Sequence, residues 1–307
     1  MEYANARSEI DRILFLFFLV AFALILLFPQ QTGDGVRTGL SLCYRAVIPA
    51  VFPSWILTTL LFSRPCKAIE QTVGRLFTRV FRVSPRGAVA WLAGLLSGFP
   101  VGAVTVANDV RSGQISREEG EYLLSFVNNT GPAFLVGGIG LGLFGSVMIG
   151  WALYLIQIPI SLLVALLFRP HEEIRFNKTQ NDEYPSSDPV GAITSAAEHC
   201  IRIAGFVCFF SVLSSLSSLF VPAGLPLAVL SSFFEVGSGA SYAARLAFPL
   251  PAFPLVAFAV GFSGLSVHFQ TLAAIRGTGI GTALYWKGKL ISGAFCFMLF
   301  LFFCLTN

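Results

Sequence analysis

The chain has 307 residues, of which 55% are hydrophobic and only 12% are charged, and its mean hydropathy is +0.76. Soluble domains carry about 25% charged residues, so this composition excludes an ordinary soluble domain. The net charge of +4 comes mostly from basic residues in short loops beside apolar segments. Such residues set membrane orientation, and nucleic acid is not a predicted partner. The six cysteines lack CxxC or ligand spacing, so no metal site and no disulfide framework is predicted.

Apolar segments long enough to cross a bilayer recur along the chain. The first follows a charged tail and is not followed by a small-residue cleavage site, so it is predicted to be a retained span rather than a signal peptide. Some segments are interrupted, so we expect roughly seven to ten crossings or re-entrant pieces. The candidate spans are 13–29, 38–62, 87–107, 122–145, 147–168, 200–220, 225–246, 252–274 and 284–305.

The loop 63–86 carries six basic residues against one acidic residue, Glu70. The positive-inside rule places this loop in the cytoplasm, and the two preceding spans then place the N-terminus there as well. Apolar residues recur at helical spacing within the loop, which predicts an interfacial amphipathic helix, with a plain soluble loop as the alternative. These residues are Ile69, Val73, Leu76, Phe77 and Val80.

The longest polar stretch, 169–189, is predicted to be a linker between two halves. The chain then divides into an N-terminal tail with the first span (1–36), a first half (37–168), the linker, and a second half (190–307). His171, in the linker, is read as an ordinary loop histidine.

The two halves contain similar segments. Residues 97–107 read SGFPVGAVTVA and residues 263–273 read SGLSVHFQTLA, at an offset of 166 residues. A weaker pairing aligns Arg45, Phe52 and Ser54 with Arg202, Phe209 and Ser211. Duplicated halves around a site at the bilayer midplane are a common transporter design, so a two-fold internal repeat is predicted.

The second span contains Pro49 and Pro53, which are expected to break its helix. This break either lines a substrate path or is a packing kink. Arg45 lies one turn earlier and is a candidate charge partner for an anion, with snorkelling to the headgroups as the alternative.

The next interruption is Ser97-Gly98-Phe99-Pro100-Val101-Gly102, followed by Asn108 and Asp109. Small residues and a proline within an apolar run are typical of a re-entrant tip or an unwound span. Such a tip can point backbone N–H groups at an anion. Ser97, Gly98, Pro100 and Gly102 are therefore candidate substrate-binding residues.

A capping box, Ser116-Arg117-Glu118-Glu119, predicts the start of a helix. That helix leads to Asn128-Asn129-Thr130-Gly131-Pro132, the densest neutral hydrogen-bonding cluster in the chain. Asn128, Asn129, Thr130 and Gly131 are candidate substrate ligands, and hydrogen-bonded contacts between helices are the alternative. The glycine run 137–142 predicts close helix packing rather than a nucleotide loop, because no strand precedes it.

In the second half, Glu235 lies ten residues into an apolar run. A carboxylate there must be neutral, paired or ion-coordinating, so Glu235 is a coupling candidate, with Arg202 or Arg245 as a partner. The segment Gly261-Phe262-Ser263-Gly264-Leu265-Ser266-Val267-His268-Phe269-Gln270 follows. Ser263, Gly264, Ser266, His268 and Gln270 are candidate substrate-binding residues there, and a buried, hydrogen-bonded histidine is the alternative for His268.

Together, these motifs resemble the YlbJ-type sporulation integral membrane proteins of endospore-forming bacteria. The resemblance spans about residues 37–305. It is carried by 96–103, 111–119, 128–134, 234–239 and 261–270. Ser263 departs from it, since the family is expected to favour glycine there.

This resemblance implies a pair of gate, or nucleoside-recognition, domains. It further implies a role in moving dipicolinic acid from the mother cell towards the forespore across the outer forespore membrane. Dipicolinate is a small planar dianion, whose charge Arg45 or Arg202 could balance.

The leading hypothesis is thus an all-α, polytopic helix bundle with broken or re-entrant helices, which acts as a permease for a small anionic metabolite. Alternatives are a carrier for a nucleoside-like solute or an ion, and a non-transporting assembly factor of sporulation membranes. An enzyme is not predicted, because HExxH, GxSxG and paired aspartates are absent, and no cofactor is expected. Expected partners are the anionic substrate, membrane lipid, and further copies of the chain or other sporulation membrane proteins.

Overall fold

The computed structural model describes residues 2–62, 69–171, 188–246 and 249–306. Within these ranges the chain forms helices and no strand, which confirms the predicted all-α fold. Segments long and apolar enough to cross a membrane are Pro29–Phe62, Val147–Leu167, Pro189–Ser217, Ala252–Ile275 and Ala283–Thr306. The chain is therefore a multi-pass helical membrane protein.

The first half begins with two helices that follow each other closely and ends on a long apolar helix. Its helices are α1 (Glu2–Leu27), α2 (Pro29–Leu42, π-helical Cys43–Val47 and Ile48–Phe62), α3 (π-helical Glu70–Gly74 and Arg75–Phe81), α4 (Pro85–Ser97), α5 (Val101–Arg111), α6 (Arg117–Val127), α7 (π-helical Ala133–Leu141 and Gly142–Phe144) and α8 (Val147–Leu167).

The second half consists of two long helices with shorter ones between them. Its helices are α9 (Pro189–Ser217), α10 (Leu225–Phe234), α11 (Val236–Ala243), α12 (Pro249–Phe262), α13 (Gly264–Ile275) and α14 (Ala283–Thr306).

The same order of elements occurs in both halves. A long helix (α2 or α9) precedes a helical hairpin (α4 with α5, or α10 with α11), in which the two short helices pack on each other. A broken helix follows (α6 and α7, or α12 and α13), and a long apolar helix ends the half (α8 or α14).

The 166-residue register does not follow this order of elements. It aligns the turn of the first hairpin, at Ser97-Gly98, with the break of the second broken helix, at Ser263-Gly264. The weaker register, which pairs Arg45 with Arg202, joins α2 to α9, and these two helices hold the same place in their halves. Small residues serve both kinds of turn, so their recurrence alone does not fix which elements correspond.

Two predicted spans are hairpins instead. Residues 87–107 contain the turn between α4 and α5, and residues 225–246 contain the turn at Glu235. A ten-residue helix rises only about 15 Å, so neither hairpin arm can cross a bilayer of about 30 Å by itself. By contrast, α9 starts earlier than predicted, at Pro189 instead of residue 200. Asp188 caps its first turn by accepting a hydrogen bond from the amide of Gly191.

The predicted break at Pro49 and Pro53 is wrong, because α2 continues to Phe62. Its turns widen into a π-helix at Cys43–Val47, just before the first proline. A π-helical turn gives a proline ring more room against the preceding carbonyls and relieves the clash. The helix therefore continues through both prolines.

The amphipathic segment forms α3, as predicted from its spacing. Phe77 and Phe81 are buried, and the Phe77 ring lies 5.2 Å from that of Trp91 on α4, whereas Leu76 is 57% exposed. The helix thus packs one face on the first hairpin. The linker residues 172–187 and Cys66 lie outside the described residues.

Close packing around the first hairpin depends on glycine. A Cβ on Gly94 would lie 1.9 Å from the carbonyl oxygen of Val127, and one on Gly102 would lie 2.5 Å from the same atom. The last turn of α6 therefore fits against both arms of the hairpin. A similar approach joins Gly140 of α7 to Gly150 of α8, which agrees with the packing role predicted for the glycine run.

Candidate functional site

Both hairpin turns and both helix breaks meet at one enclosed space, which we call the central cavity. Its volume is about 30 Å³, room for about one water molecule. The long helices α2 and α9 close its sides. The lining residues are Val47, Ala50, Val51, Leu96, Ser97, Gly98, Phe99, Thr130, Gly131, Ala133, Phe134, Ile203, Val207, Glu235, Ser266, Val267 and Gln270.

The turn of the first hairpin lies directly against the first break. Gly98 has a φ of +82°, and a Cβ there would come within 2.6 Å of the Gly131 amide nitrogen. Glycine is required here both for the left-handed backbone and for the close approach. The Phe99–Pro100 peptide bond in this turn is cis.

The first break, residues 128–132, has its backbone and side chains held by neighbouring helices. Gln157 of α8 pairs with Thr130 in both directions: its Oε1 accepts from the Thr130 amide at 3.0 Å and its Nε2 donates to the Thr130 carbonyl at 2.5 Å. Asn128 donates from Nδ2 to Thr271 Oγ1 at 2.8 Å, and Asn129 donates to the carbonyl of Phe126. Asn128 therefore joins the end of α6 to α13, the alternative expected from the sequence, whereas Asn129 bonds back to its own helix, and neither side chain lines the cavity.

Glu235 forms the turn of the second hairpin and is 4% exposed. Its carboxylate caps α11 by accepting from the amides of Gly237 at 3.0 Å and Ser238 at 2.5 Å. Neither predicted arginine forms an ion pair with it among the described residues, and Arg245 instead lies over the ring of Tyr242. The buried carboxylate is thus held by backbone donors and faces the cavity.

The second break is a single residue. Ser263 has a φ of +83°, followed by Gly264 at +65°, and Gly264 lies against the second hairpin at Ser232 and Glu235. A left-handed φ favours glycine, which gives a physical reason for the glycine expected at position 263. One turn further on, Gln270 Nε2 donates to Ser266 Oγ at 3.3 Å, and both side chains line the cavity.

His268 points away from the central cavity. Its ring lies 4.7 Å from Phe262 and 4.4 Å from Trp286, and Nδ1 lies 2.7 Å from the hydroxyl of Tyr285. It is therefore a buried histidine in an aromatic cluster between α13 and α14. Its spacing from Gln270 on a regular helix predicted the divergence of the two side chains.

Sequence reasoning missed Lys289 of α14, which is 4% exposed. Its ammonium group donates to the backbone carbonyl of Asn128 in the first break and to Ser263 Oγ, 3.1 Å away, in the second. The signal was present, because a lysine within the apolar run 284–305 needs partners just as Glu235 does.

A second and larger space, which we call the vestibule, lies beside the central cavity and measures about 510 Å³. The first hairpin, α2, α9 and α13 contribute to the lining of both spaces, through different residues in each. The charged and aromatic lining residues are Trp55, Phe62, Arg86, Asp109, Arg111, His199 and Arg202, and the others are Thr58, Thr59, Ala93, Val101, Val104, Thr105, Asn108, Gly191, Ser195, Ala273 and Ala274.

Arginines dominate the charge of the vestibule. Arg86 Nε lies 3.7 Å from Asp109 Oδ1, and Arg111 donates to the carbonyls of Ala274 and Arg276, which ties the first hairpin to the end of α13. Arg202 is exposed. Three guanidinium groups against one carboxylate make this space attractive to anions.

Asp109 lies outside the five candidate spans, at the polar end of the first hairpin. Burial raises the pKa of its carboxyl to about 6, while the Arg86 guanidinium lowers it in part and Glu119 and Glu70 raise it slightly. Near pH 6, the negative charge of the vestibule therefore changes.

The hydrogen bonds of Ser97 lie between the two spaces. Ser97 Oγ, on the cavity side, lies 2.9 Å from Thr58 Oγ1, on the vestibule side, and 3.0 Å from the carbonyl of Ser54. His199 stacks on Trp55 at 3.9 Å just beyond, with its Nδ1 donating to the Ser195 carbonyl. The first hairpin is thus fastened to α2 at the narrow point.

The predicted substrate-binding residues fall into two groups, and the predicted charge partners lie apart from both. Lining the central cavity are Ser97, Gly98, Thr130, Gly131, Ser266 and Gln270, together with Glu235. Adjoining it, within the packing of the hairpins and breaks, are Pro100, Gly102, Asn128, Asn129, Ser263, Gly264 and His268. Of the two charge partners, Arg202 lines the vestibule, and exposed Arg45 lines neither space.

The predicted capping box forms with a different partner. Ser116 Oγ accepts from the amide of Glu119 at 3.1 Å, as expected. Glu119 Oε1 accepts from the amide of Ser84 at 2.7 Å, at the start of α4, rather than from Ser116. The carboxylate thus joins α6 to the first hairpin.

Two hairpin turns and two helix breaks around one cavity, within a multi-pass helical bundle, define the class: a membrane protein with an internal polar site. The chain is similar to the sporulation integral membrane protein YlbJ of Bacillus subtilis (strain 168), at 28% identity over 91% of this chain and 79% of YlbJ. This similarity supports the resemblance to the YlbJ-type family. No family profile and no solved structure matches the chain.

Proposed function

We propose that this chain is a permease for a small anionic metabolite, with dipicolinate as the first candidate. The observation that carries the proposal is the juxtaposition of the arginine-lined vestibule and the central cavity. The arginines attract an anion to the vestibule, and the hairpin turns and helix breaks meet at the central cavity. Binding between broken helices, with movement of one element past another, is a common transport mechanism.

The vestibule lies where α2 ends and the basic loop 63–86 begins. The positive-inside rule assigns that end of α2 to the cytoplasm. We therefore propose that the vestibule is the cytoplasmic entrance. In a sporulating cell, this direction suits export from the mother cell towards the forespore.

The sizes of the two spaces suggest how a substrate would advance. The vestibule, at about 510 Å³, accepts a planar dicarboxylate, whereas the central cavity, at about 30 Å³, does not. A hairpin must therefore move for the substrate to pass. The Ser97–Thr58 contact is the place where the first hairpin would release from α2.

The name dipicolinate rests on the family resemblance, and the similar B. subtilis protein is named for sporulation. Uptake of labelled dipicolinate into proteoliposomes of the purified chain tests the proposal. We expect saturable uptake that unlabelled dipicolinate inhibits and uridine does not. Uridine uptake would support the nucleoside-like alternative, and no uptake of either would contradict the proposal.

The assembly-factor alternative makes a different prediction. If the polar breaks only hold helices together, alanine at Asn128, Asn129 or His268 should lower the amount of protein and leave the flux per molecule unchanged. If the chain is a permease, alanine at Gln270, which lines the cavity, should instead lower the flux at an unchanged amount of protein. Measuring membrane abundance and flux in the same preparations separates the two functions.

Glu235 remains the candidate for coupling to protons. Glu235→Gln keeps the shape of the side chain and removes its titration. If accumulation against a gradient needs this carboxylate, the variant should equilibrate dipicolinate without concentrating it. Unchanged accumulation would leave a passive permease or another coupling group.

A further inference from the structure

The ammonium group of Lys289 lies at the ends of two half-helices. Asn128, whose carbonyl accepts from it, follows the last residue of α6, and Ser263, whose hydroxyl accepts from it, follows the last residue of α12. Free carbonyls at a helix C-terminus carry partial negative charge. Two such ends therefore converge on one positive group.

No carboxylate lies within ion-pair distance of Lys289 among the described residues. A buried ammonium group without an anionic partner depends on neutral oxygen atoms and helix ends for its stabilisation. The side chain oxygen of Asn128, Oδ1, is also buried and has no hydrogen-bond partner within the described part of the chain. This region thus supplies more oxygen acceptors than the lysine uses.

Carbonyl oxygens at unwound helices and half-helix C-terminal ends are the ligands that bind sodium in membrane carriers. We propose that the Lys289 ammonium is a built-in cation, which occupies the place where a free sodium ion would otherwise join the two broken helices. The cation is then part of the chain and does not exchange with ions in solution. The consequence for transport, which rests on the proposed function, is that substrate movement needs no sodium. The cation site itself does not depend on that function.

The test is the melting temperature of the purified full-length chain in sodium chloride and in choline chloride at equal ionic strength. We expect no difference for the wild-type chain. Lys289→Ala should melt lower in choline and recover in sodium, by about 3 °C for each tenfold rise in sodium above its Kd. Lys289→Met, which fills the space without a charge, should stay low in both salts.

Lys287→Ala is the matched control, since Lys287 is exposed two residues earlier on the same helix. It should melt like the wild-type chain in both salts. Equal melting temperatures of Lys289→Ala in sodium and choline would overturn the proposal. So would a sodium-dependent rise in the wild-type chain.

Lys289→Ser serves as a second variant if Lys289→Ala does not fold. Recovery of either variant only in sodium supports the proposal. If both variants stay unstable in sodium whereas Lys289→Met regains the stability of the wild-type chain, the proposal is overturned, because sodium then cannot replace the ammonium group.

A transport measurement completes the design. Dipicolinate flux should be equal in the two salts for the wild-type chain and should require sodium for Lys289→Ala. If the wild-type chain transports nothing, the proposed function fails, and the melting temperatures still decide whether the cation site exists.

Discussion

The vestibule and the central cavity share the first hairpin, α2, α9 and α13 in their linings, yet they differ in size and in charge. The vestibule is about 510 Å³ and contains three arginines, whereas the cavity is about 30 Å³ and its one charged lining residue is Glu235. At the cavity, Gln157 already hydrogen-bonds the backbone of Thr130. The difference suggests that the vestibule attracts the anion and that the elements around the cavity control its passage.

The largest expected effect is at Gly94, where α6 packs on the first hairpin. Gly94→Ala places a Cβ where the Val127 carbonyl lies 1.9 Å away, and backbone on both sides must shift. We expect a loss of about 3 kcal/mol or more in the free energy of unfolding. The amount of folded protein and its melting temperature measure this loss.

Gly137→Ala is the control for this change, because nothing lies within 4 Å of a Cβ at Gly137. We expect near wild-type stability for that variant. Equal stability of the two variants would show that α6 does not rest on the first hairpin as described.

A smaller effect is expected at the boundary between the two spaces. Ser97→Ala removes the hydrogen bond that fastens the first hairpin to Thr58 and Ser54 of α2, at a cost of about 1 kcal/mol. Thr78→Ala, which removes only a bond to the carbonyl of Gly74 in its own helix and lines neither space, is the matched control. If the contact is a gate, Ser97→Ala changes the flux per molecule and Thr78→Ala does not. Equal flux in both variants would remove the gate from the mechanism.

The smallest expected effect concerns pH in the vestibule. Since burial raises the pKa of Asp109 to about 6, its carboxyl is ionised above that pH and neutral below it. An ionised carboxylate repels an anion, so the KM for a dianion should fall as the pH drops through 6. The change should be about fourfold, because a unit charge about 10 Å away in water contributes about 0.4 kcal/mol for each of the two charges of the dianion. Asp109→Asn should remove this step, and a step that persists in the variant would assign it to another group.

The sequence predicted the central cavity better than the vestibule. Glycines, prolines and amides inside apolar runs identify helix breaks because a broken helix in lipid must satisfy its own backbone groups. Ser97, Thr130 and Gln270 were found in this way. Their common location follows from the order of hairpins and broken helices, which the repeat register of 166 residues did not show.

The vestibule draws its arginines from both arms of the first hairpin and from α9, which is distant from them in sequence. Arg86 and Arg111 stand at the ends of short helices and Arg202 lies within a long one. Each one alone fits an interfacial arginine, so only the packing of the helices shows that they face one space. Lys289, by contrast, could be found from the sequence, because a lysine within an apolar run needs partners. It was missed because it lies near the start of the predicted span 284–305.

The most direct test of the path compares Arg202→Gln with Arg45→Gln. Both arginines are exposed on long helices that hold the same place in the two halves, but only Arg202 lines the vestibule. The measurement is the initial rate of dipicolinate uptake against concentration, at equal amounts of reconstituted protein. We expect the KM to rise about fivefold for Arg202→Gln, from about 1 kcal/mol for a charge pair at about 4 Å in water, and to stay unchanged for Arg45→Gln. Equal KM values in both variants would contradict an anion path through the vestibule.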